Sequence, residues 1–504
     1  MLNSNCRLTA FNSTEIIQEI HKEFAHMLDY VTNEAAYQAT ADQIERGLFK
    51  QLIQLGRQLL LLFFTLRSQQ SSRETCTTAV GVSLPYHRDT KRDYVSIFGK
   101  LPIWRPYFYQ VGVGSACPLD AALSLGEDSY SDMLREIAAY LGVYGVYHKV
   151  CDIIARFLDL RLSSRVVQDQ ILTDAADVDT YYQQKPGPET VGEAAVLVIQ
   201  ADGKGVPLIV EAETPAPVRL GKGQKRGHKK EAIVTTAYTI APTPRTPEAV
   251  LASYYKLSAA TEKRAAEHPA PQNKHVWATL DGKDTALERL AHHIQMREGV
   301  HILQRVALCD GCEALQTRIA SYFPNHTQIL DFIHANEYLW DVATALLGED
   351  DQKRLPWMIQ HTRQLLAGQT RAVIAEFRDL AAQPPAKAHQ REQLTKTANY
   401  FERNLPYMDY PTYLAHGWPI ASGVIEGACR HFVKDRCELS GMRWSLQGAE
   451  PLLRLRAVAE NNDWEAYHTY RKRQRHKRLY NQPYPQLAAA ELLALTPETL
   501  AIAA

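Results

Sequence analysis

The stretch VLVIQADGKGVPLIVEAE, residues 196 to 213, decides the reading of this chain. Val196 to Ile199 is an unbroken run of β-branched and aliphatic residues, the pattern of a buried central strand. Asp202 is expected to end that strand. Gly203 and Gly205 are expected to turn the chain sharply into a second apolar run. A carboxylate at the rim of a buried strand is well placed to hold a metal ion.

The pattern returns downstream. In RVALCDGCEAL, residues 305 to 315, Val306 to Cys309 reads as a second buried strand. It ends on Asp310, and Gly311 and a helix follow. Cys309 and Cys312 offer a rival reading as a redox or zinc pair, but no second CxxC completes a zinc site. A third strand-like run, Thr327 to Asp331, leads into a helix carrying His334, Glu337, Tyr338 and Trp340. Asp331 and His334 are three apart, near one helix face. They could steady an acidic site, touch a substrate, or simply cap and pack.

WPIASGVIEGACRHFVKDRCELSGMRW, residues 418 to 444, contributes a last acid. Ser422 is expected to cap a helix with Glu426 in its first turn, and Arg430, Val433 and Cys437 to continue one face. Alone, Glu426 is an ordinary surface carboxylate; two strand-end aspartates give it weight. Asp281, in LDGKD, is expected to cap the following helix rather than serve as a site acid.

Composition bounds the rest. The 504 residues are too many for one core, so three or more domains are expected. Lys plus Arg and Asp plus Glu number 56 each, so nucleic-acid affinity must come from local clusters. One is RLGKGQKRGHKK, residues 219 to 230, where Lys222, Lys225, Arg226, Lys229 and Lys230 could hold phosphates or merely line a solvated turn. Another is RKRQRHKR, residues 471 to 478, with Arg471, Lys472 and Arg473. Residues 131 to 172 read as consecutive short helices. Ser163 and Ser164 offer an N-cap, and Arg165 and Gln168 are candidates for a helix-turn-helix that enters a DNA groove. Arg443 and Trp444 join this DNA-facing set.

Eight cysteines, sparse and irregular and without a disulfide framework, suit a reducing cytoplasm, and no N-terminal signal pattern is visible. The apolar segment Leu59 to Phe64 is far below the roughly 20 residues a membrane span needs. No GxxxxGK[ST] or GxGxxG motif supports a nucleotide cofactor. Tyr94 to Tyr109 reads as a β-hairpin; only Cys76 and Cys117 flank it, which favours plain packing over a zinc ribbon.

The expected organisation is multidomain α+β. Residues 1–125 form a helical region with the hairpin, 126–186 a helix-turn-helix-like segment and linker, and 187–345 the first part of a mixed α/β core. Residues 346–410 form a helical insertion, 411–462 the part of the core carrying Glu426, and 463–504 a basic tail. Residues 68 to 93 are expected to be a loop.

Taken together, QADGKG at 200–205, ALCDGCEAL at 307–315, LDFIHANEYLW at 330–340 and SGVIEGACRHFVKDRCELSGMRWS at 422–445 resemble the bacterial insertion-sequence DDE transposases, specifically the ISKra family of the Mutator-like group. The resemblance spans roughly residues 95 to 460. It implies an RNase H-like core, a five-stranded mixed sheet with a helical insertion before the last acid. It implies a catalytic and metal-holding triad of Asp202, Asp310 and Glu426, at spacings of 108 and 116. Asp331 and His334 match the group's acid-x-x-His element, and Arg430 is a supporting residue. The cysteine pairs that relatives often carry around the hairpin are missing here.

The implied activity is cleavage at transposon ends, then attack of the freed 3′-OH on target DNA, by a cytoplasmic protein acting as a homodimer or higher oligomer on DNA. Two Mg²⁺ ions about 3.5–4 Å apart, replaceable by Mn²⁺, would activate the attacking oxygen and stabilise the leaving one. Two other readings stand beside it: a DNA-binding protein of the same ancestry without catalysis, and a paired-carboxylate hydrolase.

Overall fold

A computed structural model describes residues 12–78, 81–209, 228–257, 269–383 and 387–485. They form a mixed α+β molecule of two compact units. One comprises Met1–Asp177 with Glu465–Ala504, the other Val178–Trp464.

In the first unit, the helices Ser13–Thr32 and Ala41–Gln70 precede a four-stranded antiparallel sheet. Thr40 closes the second helix's N-terminus through a capping box with Gln43. The strands are β1 (Thr75–Thr77), β2 (Ser83–Ser96), β3 (Gly99–Gln110) and β4 (Gly114–Ala116). The hairpin is thus longer than Tyr94 to Tyr109, and β1 and part of β2 occupy residues expected to be loop. Leu101 and Ile103 on β3 pack with Ile16, Leu61 and Phe64 of the two helices. Three short helices follow, Asp132–Tyr144, Tyr147–Leu158 and Ser164–Asp174. Ser163 caps the last, its side chain accepting from the Val166 N–H.

The basic C-terminal segment is no free tail. It lies in the helix Trp464–Tyr480, and three of its cations are paired inside this unit. Arg471 is 2% exposed and donates to Asp174 at 2.8 Å, beside Arg135, which donates to the same carboxylate at 2.7 Å. Arg475 pairs with Asp132 and Arg478 with Asp177. The run of cations is read correctly from the sequence, but three buried or half-buried aspartates 297 to 343 residues upstream cannot be matched to it by pattern alone.

The second unit is built on a five-stranded sheet in the order β7-β6-β5-β8-β9. Its strands are β5 (Val196–Leu208), β6 (His228–Ile240), β7 (Gln272–Thr279), β8 (Gln304–Cys309) and β9 (Thr327–Leu330). β5, β6 and β7 are antiparallel neighbours, whereas β8 runs parallel to β5 and β9 parallel to β8. Both faces are covered. Leu197, Ile199 and Ala201 face the helix Lys283–Arg297 through Leu287, Leu290 and Ile294. Val196, Val198, Val306 and Leu308 join the core with the helices Phe332–Leu347, Asp351–Leu366, Thr370–Ala382 and Ala388–Asn404. The last three occupy the expected insertion.

Asp202 does not end its strand. β5 continues through Gly203 and Gly205 to Leu208, paired with β6 throughout. The glycines make no turn. Neither has positive φ; a Cβ on Gly203 would press on the movable Glu231 carboxylate opposite, and one on Gly205 would sit tightly against the Lys229 side chain. Among the described helices none is long and apolar enough to cross a membrane.

Candidate active site

The site is assembled where β5 and β8 stop pairing. Their last paired residues are Gln200 and Leu308, and Asp202 and Asp310 each stand two residues further on. The alternation of strand side chains puts Asp202 on the same face as Val198 and Gln200, toward the Phe332–Leu347 side of the sheet. Asp202 Oδ1 accepts the N–H of Gly203 at 2.6 Å, and Oδ2 accepts the thiol of Cys429 at 3.3 Å. Burial raises its pKa above the usual carboxylate range, and the Asp310 charge adds to that. Asp310 Oδ1 accepts the Cys312 N–H at 2.9 Å. Gly311 supplies the positive φ that this tight exit needs.

Glu426 arrives on the short helix Gly423–Gly427. Two buried groups fix that helix. Gln200 Oε1 accepts the Ile425 N–H at 2.9 Å, and Asp331 Oδ2 accepts the Ser422 N–H at 2.9 Å. Gln200 is itself held by Thr236 Oγ1 at 3.3 Å and donates to Tyr238 Oη at 3.2 Å. Ser422 does not cap the helix with its side chain. Its hydroxyl donates instead to Glu426 Oε1 at 3.1 Å. The chain then widens into a π-helical stretch, Ala428–Lys434, so the α-spaced face from Glu426 through Arg430 to Cys437 does not form. Arg430 is exposed. That π-turn brings Cys429 against Asp202, a contact the α-helical reading missed.

Asp331, fully buried, also caps the helix Phe332–Leu347, its Oδ1 accepting from Ile333 at 2.5 Å and His334 at 3.4 Å. One ligand atom from each of Asp331, His334 and Glu426 lies within 4.8 Å of the others. Burial pushes the Asp331 carboxyl up to about 6 despite the nearby His334 and the two N–H donors, with the Glu426 charge contributing. Burial opposes protonation of His334, yet the charges of Asp331, Glu337 and Asp310 together raise its pKa. His334 Nδ1 lies 3.1 Å from Glu337 Oε2. Both Asp331 oxygens accept backbone N–H groups, so it anchors the Glu426 helix, and it also stands in the group with His334 and Glu426 whose ligand atoms could meet at one ion.

Among the described residues, no lysine or arginine forms a salt bridge with Asp202, Asp310, Asp331 or Glu426. Carboxylates without a lysine or arginine partner are donors that suit Mg²⁺ or Mn²⁺, but His334, whose protonation Asp331 and Asp310 favour, stands among them as a possible counter-charge. Among the described residues, the group whose ligand atoms come within 4.8 Å of one another is Asp331, His334 and Glu426, and Asp202 and Asp310 are not part of it.

The remaining site candidates separate. Lys222, Lys225 and Arg226 lie outside the described residues. Lys229 pairs with Glu438, and Lys230 is half-buried opposite Val206. Arg165 is exposed but paired with Asp169 at 3.0 Å, and Gln168 is half-buried. Arg443 is exposed, whereas Trp444 is buried: its ring N–H donates to the Cys437 carbonyl at 3.0 Å and Arg436 covers its face at 4.8 Å. Trp444 also bonds backbone to backbone with Pro207 and Ile209, so it docks the end of β5 and does not face DNA. Arg471 leaves the DNA-facing set for the same reason, burial; Arg473 is exposed and Lys472 half-buried. Asp281 does not cap its helix, whose N-cap is Gly282 without a side-chain bond. Asp281 lies 3.5 Å from Arg454 instead. Cys309 is buried, Cys312 half-buried, and both are free thiols, with burial pushing Cys309 up to about 12, far from a reactive thiolate.

Sequence reading missed Gln200 and Cys429. Gln200 had a signal: a lone amide in an otherwise apolar buried strand must bond to something. No protein-family model matches the chain, and a search of curated proteins found no match.

Proposed function

We propose that this chain is a divalent-metal-dependent DNA transposase of the DDE type, with Asp202, Asp310 and Glu426 as the catalytic carboxylates. The observation that carries the reading is the placement of Asp202 and Asp310 two residues past the end of the β5–β8 pairing, with Gln200 and Asp331 bringing the Glu426 helix to the same rim. The strand order β7-β6-β5-β8-β9, three antiparallel strands followed by two parallel ones, supports an RNase H-like core.

Asp202, Asp310 and Glu426 would hold the metal, which supplies charge stabilisation and an activated oxygen for in-line displacement at phosphorus. The protein's part is to present three carboxylates in a fixed arrangement. Gln200 and Asp331 set the height of Glu426, while Cys429 and Gly203 hold the two Asp202 oxygens. Ser422 steadies Glu426 through its hydroxyl. DNA is the substrate class because phosphodiester chemistry uses this donor set, and the sequence motifs resemble enzymes that perform it.

The test is cleavage of a plasmid carrying the DNA that flanks the gene. Strand breaks at the element's ends are expected with Mg²⁺ or Mn²⁺, none with EDTA, and none from Asp310→Asn. Cleavage that persists in EDTA rejects the reading.

A further inference from the structure

The helix Ala388–Asn404 reaches back from the insertion to the acid site. Tyr400 Oη donates to the Asp310 backbone carbonyl at 2.8 Å, and Arg403 Nη2 donates to the Gly311 carbonyl at 2.7 Å. A Cβ on Gly311 would run into the Tyr400 hydroxyl. The loop presenting Asp310 is therefore gripped by this helix.

The grip carries charge. Tyr338, from the helix Phe332–Leu347, stacks on Tyr400 with ring centroids 3.8 Å apart and planes 7° from parallel. Lys396 Nζ lies 5.4 Å from the centroid of Tyr338, and Arg403 Cζ lies 5.6 Å from that of Tyr400. Lys396, Tyr400 and Arg403 are spaced i, i+4 and i+7, one face of the helix. The Lys396 side chain is 55% exposed and reaches Asp341 only at 4.0 Å. Arg403 is exposed and has no carboxylate partner among the described residues.

A cluster of acids repels a phosphodiester chain, so a strand approaches it more readily where cations nearby offset that repulsion. Arg403 is an exposed cation bonded to the loop that presents Asp310, and Lys396 lies over the Tyr338 ring stacked on Tyr400, whose hydroxyl holds the Asp310 carbonyl. The stacked rings restrict their long side chains in advance, which lowers the entropy lost on binding. We propose that Lys396 and Arg403, mounted on the Tyr338–Tyr400 stack, bind backbone phosphates of the DNA strand that reaches Asp310. The inserted helices thus serve as part of the substrate path. This inference rests on the transposase reading for the identity of the strand, but it concerns contacts that bind phosphate without regard to sequence.

The experiment measures affinity for a labelled duplex oligonucleotide in Ca²⁺ against salt concentration. The unchanged chain is compared with Lys396→Gln, Arg403→Lys and the double variant Lys396→Gln/Arg403→Gln. Each lost phosphate contact should flatten the log–log salt slope by about 0.9, so the double variant should lose roughly twice that. Arg403→Lys, which keeps the charge but alters the Gly311 bond, should retain the slope. Lys396→Gln touches no backbone group and remains a fair test if the double variant is poorly folded. An unchanged slope in folded Lys396→Gln and in the double variant overturns the proposal. So does a loss of slope in Arg403→Lys equal to that in the double variant, since structure rather than charge would then be responsible. Failure of the transposase reading is seen separately, as absence of Mg²⁺-dependent cleavage by the unchanged chain.

Discussion

The side-chain carbonyl of Gln200 accepts the backbone N–H of Ile425 at 2.9 Å, joining residues 225 apart in the chain. Gln200 sits two residues before Asp202, and Ile425 immediately precedes Glu426. One buried amide therefore ties the strand of Asp202 to the helix of Glu426. Gln200→Leu should leave the Ile425 N–H buried without a partner, at a cost of about 1–3 kcal/mol. It should also lower cleavage by about 10–100-fold, as loss of groups that orient metal ligands does. Gln200→Glu keeps an acceptor and should lose less. A Mg²⁺ titration of cleavage rates reads this directly: the half-saturating Mg²⁺ concentration should rise in Gln200→Leu. If that concentration and the maximal rate both stay at the level of the unchanged chain, Gln200 has no positioning role.

Asp310→Asn keeps size and shape but removes the charge that holds a metal. Cleavage should disappear while DNA binding persists or tightens, because a charge that repels phosphate is gone. Glu426→Gln should behave alike. Asp281→Asn should stay active, because Asp281 is 43% exposed and lies 3.5 Å from Arg454, an interaction worth at most about 1 kcal/mol. Ca²⁺ should support binding with little cleavage. Full cleavage by Asp310→Asn in Mg²⁺ would falsify the carboxylate assignment.

Much of this site was legible because its strands are written in apolar runs. Val196 to Ile199 and Val306 to Cys309 each lead into an aspartate. The 108-residue spacing of Asp202 and Asp310 equals the register offset of the paired strands, Val196 with Gln304 through Gln200 with Leu308. What was not legible depends on partners distant in the chain. Gly203 and Gly205 look like a turn, whereas they lie in a continuous strand with the Glu231 and Lys229 side chains close opposite them. The π-helical stretch after Glu426 is invisible to a 3.6-residue pattern, so Cys429 was not connected with Asp202. Charge runs mislead most. Arg471 and Arg473 are equivalent in sequence, yet one is buried on Asp174 and the other exposed.

That last difference is measurable. Arg471→Ala strips a partner from Asp174, which is wholly buried, and leaves Arg135 to compensate it alone. Breaking a buried pair in this way costs about 3–5 kcal/mol, less here by whatever Arg135 retains. Arg473→Ala should stay within about 0.5 kcal/mol of the unchanged chain. Denaturant unfolding of the two variants compares them on one scale. Equal stabilities would mean that the Arg471–Asp174 pair is not part of the packed unit.

Stability should also fall in mild acid, for a reason located on β7. His275 stacks on His293 with centroids 3.9 Å apart and planes 16° from parallel. Burial, aided by the charges of Lys185 and Arg297, pushes His275 down to about 3. Burial also drives His293 well below its ordinary value, with the His275 charge adding to the effect. The folded state keeps both rings neutral, whereas the unfolded chain protonates them near pH 6.5. Below that pH the unfolded state binds more protons, so stability declines as pH falls, and for His275 the decline continues until about pH 3. Well below pH 6.5 each such histidine contributes a slope of up to about 1.4 kcal/mol per pH unit. His275→Phe preserves a ring against His293 but cannot titrate, so its stability should depend on pH less steeply between pH 6 and 5 by about that amount. The comparison of slopes cancels the carboxylates common to both proteins. Parallel stability curves for the two would show that His275 is already protonated in the fold, and the neutral stacked pair would be ruled out.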